Sequence, residues 1–435
     1  MSFSPDRLRH RLQGLGAGDA GRLVVAFSGG LDSTVLLHAL VASGFPASAI
    51  HVNHGLQSEA AKWQAHCEDA CKTLGVELDV ATVQVDDRDG QGPEAAAREA
   101  RYAAFIARLE PGDVLLSAHH LDDQAETLLL NLLRASGPLG LSGIPESRPL
   151  GAGRLLRPLL DVTRNELLTW AESQQLDWIV DPSNAQTGFD RNFLRHDVMP
   201  RLDERWPGAA SRLARSAALL GESSLLLDEL AAIDLEQHVD GRIPVALLSQ
   251  LDDARARNLL RFAARQQGLP LPPSTALSRI LSELVTARED AQPLVEWPGA
   301  EARRYRDILF LQPSLPGLPV VEQNLLPGQT VEMGSLGRLR AEPGSPSGVS
   351  PELAGNGLRI TFREGGENLQ PLGSDCGRAL KKLLQEKGVF PWMRERIPLL
   401  YSGERLVAVA DLWIDRSATA SPGVGIRWEN QPDIT

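Results

Sequence analysis

Residues 23–37 read LVVAFSGGLDSTVLL. An apolar run stops at Ser28-Gly29-Gly30, the polar Asp32-Ser33-Thr34 follows, and a second apolar run begins. The pattern predicts a strand, a glycine turn and a helix start, an arrangement that turns backbone N–H groups toward an anion. The turn lacks the Gly-Lys-Ser/Thr of a Walker loop and the spacing of a dinucleotide fingerprint. Gly29 and Gly30 permit close backbone approach, and Ser28, Ser33 and Thr34 add hydroxyls. Asp32 would repel a bare phosphate, and its presence makes sense if Mg²⁺ lies between the two. The competing reading is an ordinary helix start capped by Asp32 or Ser33.

Outward from this turn, strand-like and helix-like runs alternate. RLVVAFS, SAIHVNH, VELDVATVQV and DVLLSAHH read as strands, and SEAAKWQAHCEDACKTLG, PEAAAREARYAAFIARL and DDQAETLLLNLLRA as helices. Such alternation predicts an α/β domain built on a doubly wound parallel sheet. Ligands of such sheets bind beyond the carboxyl ends of the strands. Ser28, His54 and His119 all fall at those ends, which predicts one shared site.

Two further stretches carry chemistry. In SAHHLDDQAETLLLNLLRASGPLGLSG (117–143), His119 and His120 end a strand and Asp122, Asp123 and Glu126 open a helix, spaced so that all three acids can share one face. The helix dipole explains one or two of these acids, less well the whole cluster. Acids here could hold Mg²⁺, or attract a cationic substrate and take a proton from its amine; either histidine could steady a phosphate. The stretch 178–208 gathers Asp181, Asn184, Asp190, Arg191, Asn192 and Arg195. Arg191 and Arg195 are one helical turn apart, on a face either functional or simply solvated and paired with acids such as Asp190.

Composition sets the frame. The chain has 435 residues, 43% hydrophobic and 23% charged, with a net charge of −12. That length suggests about three domains. No apolar run is long enough to span a membrane and the start of the chain lacks a signal-peptide core, so the cytoplasm is the expected compartment. Cys67, Cys71 and Cys376 make no disulfide framework or C-x-x-C pair and read as buried free thiols. Acidity alone argues against nucleic acid. Yet three of the five lysines, Lys381, Lys382 and Lys387, sit within seven residues. Residues 378–396 carry six basic and two acidic residues: Arg378, the three lysines, Arg394 and Arg396 against Glu386 and Glu395. Leu380, Leu383 and Leu384 would form the buried stripe and leave the lysines outward, either as a solvated face or as a phosphate-binding patch. The domains expected are 1–207, catalytic; 208–312, mainly helical; and 329–435, small and α+β. A Pro/Gly-rich linker spans 313–328, and a second loop 342–357.

SGGLDS (28–33) resembles the PP-loop of ATP pyrophosphatases, enzymes that grip the β,γ-diphosphate of ATP and transfer AMP to an oxygen. HVNHGL (51–56), EAAAREARY (94–102), HHLDDQAET (119–127), RPLLDVTRNEL (157–167), DPSNAQTGFDRNFLR (181–195) and the segment 380–414 extend the likeness to the bacterial, three-domain tRNA(Ile)-lysidine synthetase family. The resemblance implies that ATP adenylates the wobble cytidine of tRNA(Ile) with a CAU anticodon, and that free L-lysine displaces AMP. It implies that Ser28, Gly29, Gly30, Leu31, Asp32 and Ser33 hold ATP with Mg²⁺ on Asp32, and that His54 lies near the nucleotide. It places Asp123 and Glu126 at the lysine, with His119, Arg101 and Arg195 at the α-phosphate or adenylate. Arg378, Lys381, Lys382, Lys387, Arg394 and Arg396 become tRNA contacts. The helical and C-terminal domains would position the tRNA. No protein partner is implied, a second copy of the chain being left open. Rival readings are a tRNA sulfur transferase, which needs cysteines at the site; a small-molecule adenylating amidotransferase, which has no use for a lysine-rich patch; and a non-catalytic RNA-binding module, in which the PP-loop and acids would be idle.

Overall fold

The computed structural model describes residues 2–18, 20–55, 59–84, 93–182, 188–235, 242–288 and 291–435. Leu56, Val85 and Asn184, which belong to stretches quoted above, lie outside them. The chain divides into two compact units, Met1–Leu227 and Asp228–Thr435, the division falling inside one helix.

The first unit opens with α1 (Pro5–Gly14), β1 (Leu23–Ala26), α2 (Leu31–Ala42), β2 (Ala47–Asn53), α3 (Ala60–Leu74) and β3 (Glu77–Thr82). It continues with α4 (Pro93–Ile106), β4 (Val114–Leu116), α5 (Leu121–Leu133), α6 (Pro138–Leu141), β5 (Ser147–Leu150), β6 (Gly153–Leu156) and α7 (Arg164–Ser173). Then come α8 (Asp190–Phe193), a π-helical turn (Leu194–Val198), α9 (Met199–Arg205) and α10 (Ala209–Leu235). The sheet order is β3-β2-β1-β4-β6-β5. All neighbours are parallel except the β5–β6 edge hairpin. That hairpin was not read from the sequence, because Pro149 and Gly151 disguise an edge strand as a loop.

The central strands β1 and β4 are apolar throughout because both faces of the sheet are covered there. Leu23 and Val25 join Ala49, Val114, Leu116 and Leu156 under α1, α2, α3 and α7. Val24, between them, points the other way and joins Ile50, Val52, Leu115 and Leu155 with Phe105 of α4. A side-chain period of two with no polar alternation is the mark of a sheet buried on both sides. Cys67 and Cys71 share the buried face of α3, as expected, whereas Cys376 is exposed.

The second unit begins with β7 (Arg242–Pro244), α11 (Val245–Gln250), α12 (Asp253–Gln266) and α13 (Ser274–Arg279). β8 (Leu294–Trp297), β9 (Ala300–Tyr305) and β10 (Ile308–Pro313) follow. The expected helices are accompanied by a four-stranded antiparallel sheet, order β7-β10-β9-β8. β9 escaped detection because it buries charge. Glu301 is 2% exposed and accepts from Arg303 at 2.6 Å and Gln312 at 2.7 Å, while Arg304, 8% exposed, donates to the carbonyls of Leu284 (3.0 Å), Val285 (2.8 Å) and Arg306 (2.8 Å).

Of the linker expected at 313–328, residues 314–323 form no regular element, but Pro313 ends β10, Asn324–Leu325 are strand, and Leu315 and Val321 pack on the adjoining core. Next come β11 (Asn324–Leu325), β12 (Thr330–Glu332), β13 (Arg338–Ser345), β14 (Gly348–Val349), α14 (Pro351–Ala354), β15 (Leu358–Thr361), β16 (Asn368–Leu369) and β17 (Arg378–Ala379). α15 (Leu380–Glu386), β18 (Leu399–Ser402), β19 (Arg405–Val409), β20 (Trp413–Ile414), β21 (Thr419–Ala420) and β22 (Gly423–Glu429) complete the chain. Two five-stranded sheets, β11-β15-β18-β19-β20 and β12-β13-β22-β14-β21, share one core. The loop expected at 342–357 is in fact strand, short strand and helical turn. Pro343 and Gly344 sit where the β13–β22 register shifts, and Gly348 packs so tightly that a Cβ would lie 2.5 Å from the Val424 backbone. Bulges and close approaches put Pro and Gly inside strands.

Candidate active site

In the sheet order, β1 lies between β2 and β4, so the connections leave in opposite directions on either side of β1. A crevice at such a switch point is where doubly wound sheets bind ligands. The turn after β1 and the start of α5 after β4 meet there.

The glycine turn is knit to itself and to a neighbouring segment. Ser33 Oγ donates to the Gly30 carbonyl (3.0 Å), lies 3.0 Å from Ser28 Oγ and accepts the Ser28 N–H (3.3 Å). The Ile179 N–H donates to the Gly29 carbonyl at 2.8 Å, and Gly30 and Ile179 form a parallel bridge. Gly29 has φ +79°, and a Cβ on it would lie 2.6 Å from Ile179 Cδ1 and 2.9 Å from Cys67 Sγ. Gly30 is the N-cap of α2, and no side chain caps the first turn. The capped-start reading is thereby corrected: Ser33 serves the turn, and Asp32 faces α5. Leu31, first in the helix, is buried.

Asp32, Asp122 and Asp123 surround one imidazole. His120 Nε2 lies 3.7 Å from both Asp32 Oδ2 and Asp123 Oδ2, and its Nδ1 lies 3.6 Å from Asp122 Oδ2. These are ion-pair separations, longer than hydrogen bonds. The His120 backbone N–H donates to Asp123 Oδ2 at 2.9 Å. Burial disfavours a charged His120, but Asp122, Asp123 and Asp32 outweigh it and hold its pKa above the ordinary value. Asp32 moves up, driven by burial, with His120 pulling it back.

Glu126, 1% exposed, accepts from Arg195 Nε (2.7 Å) at one oxygen and from Arg191 Nε (2.8 Å) and an Arg195 terminal nitrogen (3.0 Å) at the other. Asp123 Oδ1 accepts from Arg191 (2.9 Å) and Arg195 (3.1 Å). The two arginines are therefore not a solvated face paired with Asp190. The three acids do not share one face either. Asp122 stays beside His120 but does not meet those two arginines; its Oδ2 accepts the Arg164 N–H (2.8 Å) at the start of α7.

His119 and His120 separate by environment, a distinction sequence does not offer. The His119 ring lies 2.6 Å from Ser117 Oγ, and burial drives its pKa down to about 4 despite Asp123. His119 is thus neutral near pH 7. Its folded pKa lies below the ~6.5 of an unfolded histidine, so the unfolded chain takes the proton first as pH falls. The stabilisation is complete above pH ~6.5 and is lost as pH drops toward 4. Relative to the wild type, His119→Gln is expected to gain melting temperature as pH is lowered from 7 to 5; a pH-independent difference would contradict this.

His54 and Arg101 come together, 3.2 Å apart, with burial and then Arg101 lowering the His54 pKa. In the second unit, Leu380, Leu383 and Leu384 are buried and Lys381, Lys382 and Lys387 exposed, as the spacing predicted. Lys387 lies over Trp413 (5.7 Å), Arg378 pairs with Glu386, Arg394 donates to the Val389 carbonyl (3.0 Å), and Arg396 is half-buried near Glu301 and Arg303. Lys381 and Lys382 have no such partner among the described residues. Sequence reasoning left His120 undecided and missed Ile179 altogether; only the bridge to Gly30 exposes Ile179.

The PP-loop domain signature matches residues 6–202, the TilS substrate binding domain 244–310 and the TilS substrate C-terminal domain 358–428. The chain is 45% identical to a tRNA(Ile)-lysidine synthase of Alkalilimnicola ehrlichii over 97% of its own length and 96% of that protein's. The chain belongs to the tRNA(Ile)-lysidine synthase family. Family members from Escherichia coli O157:H7 (42% identity; 94% of this chain, 96% of that one) and Methylococcus capsulatus (39%; 97% and 98%) agree along nearly their full lengths. The two substrate-domain matches favour this family over the sulfur-transferase and amidotransferase readings. No helix among the described residues is long and apolar enough to cross a membrane.

Proposed function

We propose that this chain converts the wobble cytidine of tRNA(Ile) bearing CAU to lysidine, using ATP and free L-lysine. Family membership carries the reading, and the meeting of the PP-loop with the acid–arginine cluster supplies its chemistry. Cytidine O2 attacks the α-phosphate, and diphosphate leaves. The lysine ε-amine then attacks C2, the C2–O2 bond breaks, and AMP leaves with that oxygen. Lysidine pairs with A instead of G, which switches both decoding and charging from methionine to isoleucine.

In this account Ser28 to Ser33 grip the leaving diphosphate, their first-turn N–H groups free of side-chain caps. Asp32 Oδ1 is buried without a partner, which suits a ligand to Mg²⁺ shared with the phosphates. No cluster of three or more acids, histidines or cysteines that would hold an ion alone occurs among the described residues. Held by Asp32, Mg²⁺ would supply positive charge against the diphosphate. Arg195 and Arg191 are paired with Asp123 and Glu126 until an anion competes for them. When the α-phosphate draws the guanidiniums off, the carboxylates are released to bind the lysine ammonium and take its proton. His119 offers the phosphate a neutral ring, and Arg101 with His54 flanks the nucleotide. The setting is the cytoplasm, where tRNA and ATP are supplied.

The reading is tested by following radiolabelled lysine with ATP and purified tRNA. Lysine incorporation, AMP and diphosphate are expected in equal amounts and only with tRNA(Ile) bearing CAU; equal ATP consumption without that tRNA would reject it. For the C-terminal patch, Lys381→Ala with Lys382→Ala is expected to weaken tRNA binding and reduce the slope of log K against log salt by about two. An unchanged slope would remove α15 from the tRNA interface.

A further inference from the structure

Three guanidiniums gather around Tyr102, two over its ring and Arg157 hydrogen-bonded to it, with no carboxylate among the described residues to answer them. Arg98 lies 5.0 Å and Arg148 4.7 Å from the centre of the Tyr102 ring. Arg157, 3% exposed, follows directly on β6, and one terminal nitrogen donates to the Pro145 carbonyl at 2.6 Å. The Nε atoms of Arg148 and Arg157 are buried and have no hydrogen-bond partner. Among the described residues no acid lies within ion-pair distance of any of the three. Mutual repulsion and lost hydration make such a cluster costly unless an anion joins it.

Placement says where that anion comes from. Arg157 stands at the carboxyl end of β6, beside β4, whose own carboxyl end leads to His119. Arg98 and Tyr102 bracket Arg101 on α4, whose side chain reaches His54. Burial, Arg157 and Arg98 all help keep His119 neutral, so the cluster borders the reaction pocket. Guanidiniums in excess at such a border match a phosphate. The PP-loop and Arg195 already answer the phosphates of ATP in the proposed function. What remains is the phosphate of the RNA backbone. To bring C2 against Asp123 and Glu126 the cytidine must leave its stack, which swings its flanking phosphates toward the pocket rim.

We propose that Arg98, Arg148 and Arg157, gathered on Tyr102, form a phosphate site for the RNA backbone next to the target cytidine. This rests on the tRNA reading above. The test uses the full-length protein and an anticodon stem-loop of tRNA(Ile), with binding measured by fluorescence anisotropy over a range of salt. Arg98→Gln with Arg148→Gln is expected to weaken stem-loop binding about tenfold or more and to lower the salt slope by about one, with ATP affinity unchanged. A neutral methylphosphonate beside the cytidine should weaken the wild type by a similar factor and the double variant hardly at all. Both arginines are partly exposed, and removing uncompensated charge should leave the melting temperature of the ligand-free protein equal or higher. Loss of ATP affinity with stem-loop binding intact would assign the site to ATP and overturn the proposal. Unchanged binding of both would make the cluster structural and overturn it as well. A wild-type protein that fails to bind the stem-loop would overturn the proposed function itself, and this site with it.

Discussion

Glu126→Gln is expected to slow lysine transfer to tRNA by about a thousandfold while ATP affinity stays within about threefold. Glu126 is buried and meets both guanidiniums through both oxygens. Glutamine keeps the shape, but its amide turns N–H donors toward N–H donors and removes a charge that two arginines share. Breaking a buried pair of this kind costs about 3–5 kcal/mol, so part of the loss will appear as a lower melting temperature. Retained ATP binding separates the chemical effect from unfolding. Equal loss of ATP binding and lysine transfer would instead give Glu126 a role at the metal and nucleotide.

The second large effect is expected from Gly29→Ala. The residue sits at φ +79°, where a Cβ costs about 1–2 kcal/mol by itself. The new methyl would also meet Ile179 Cδ1 and Cys67 Sγ, neither of which is the free end of a long flexible chain. The turn must shift, and its N–H groups with it. Losing two hydrogen bonds to charged phosphates at ~1.5 kcal/mol each predicts ATP binding weaker by about a hundredfold or more. Ile179→Ala in the same chain opens space but leaves the φ penalty, so it should restore binding only in part. Wild-type ATP affinity in Gly29→Ala, measured by calorimetry, would show that the turn does not hold the nucleotide.

What the sequence disclosed follows from where the chain is regular. β1 could be read because both its faces are apolar, and α15 because Leu380, Leu383 and Leu384 repeat at helical spacing beside exposed lysines. β9 could not, since Glu301 and Arg304 interrupt its pattern and are satisfied only by distant partners. β13 was lost for a different reason: Pro343 and Gly344 mark a bulge in space but a loop in sequence. At the site, the PP-loop and the acids were visible as motifs. Which histidine stands among the acids was not, because His119 and His120 are adjacent and only the start of α5 sends one ring inward. The pairing of Arg191 and Arg195 with residues of α5 was hidden as well, since it joins positions far apart in the chain. Arg98, Arg148 and Arg157 had the same disguise, on three separate elements.

The central claim is that the PP-loop and the carboxylates together attach lysine to one cytidine. The most direct measurement is mass spectrometry of nucleosides from tRNA(Ile) bearing CAU after incubation with the protein, ATP and lysine. The account predicts that a nucleoside with the mass of cytidine plus lysine less water replaces the wobble cytidine, and that it is absent when ATP or lysine is omitted. An unmodified cytidine at that position after full incubation, with the protein folded and ATP bound, would contradict it.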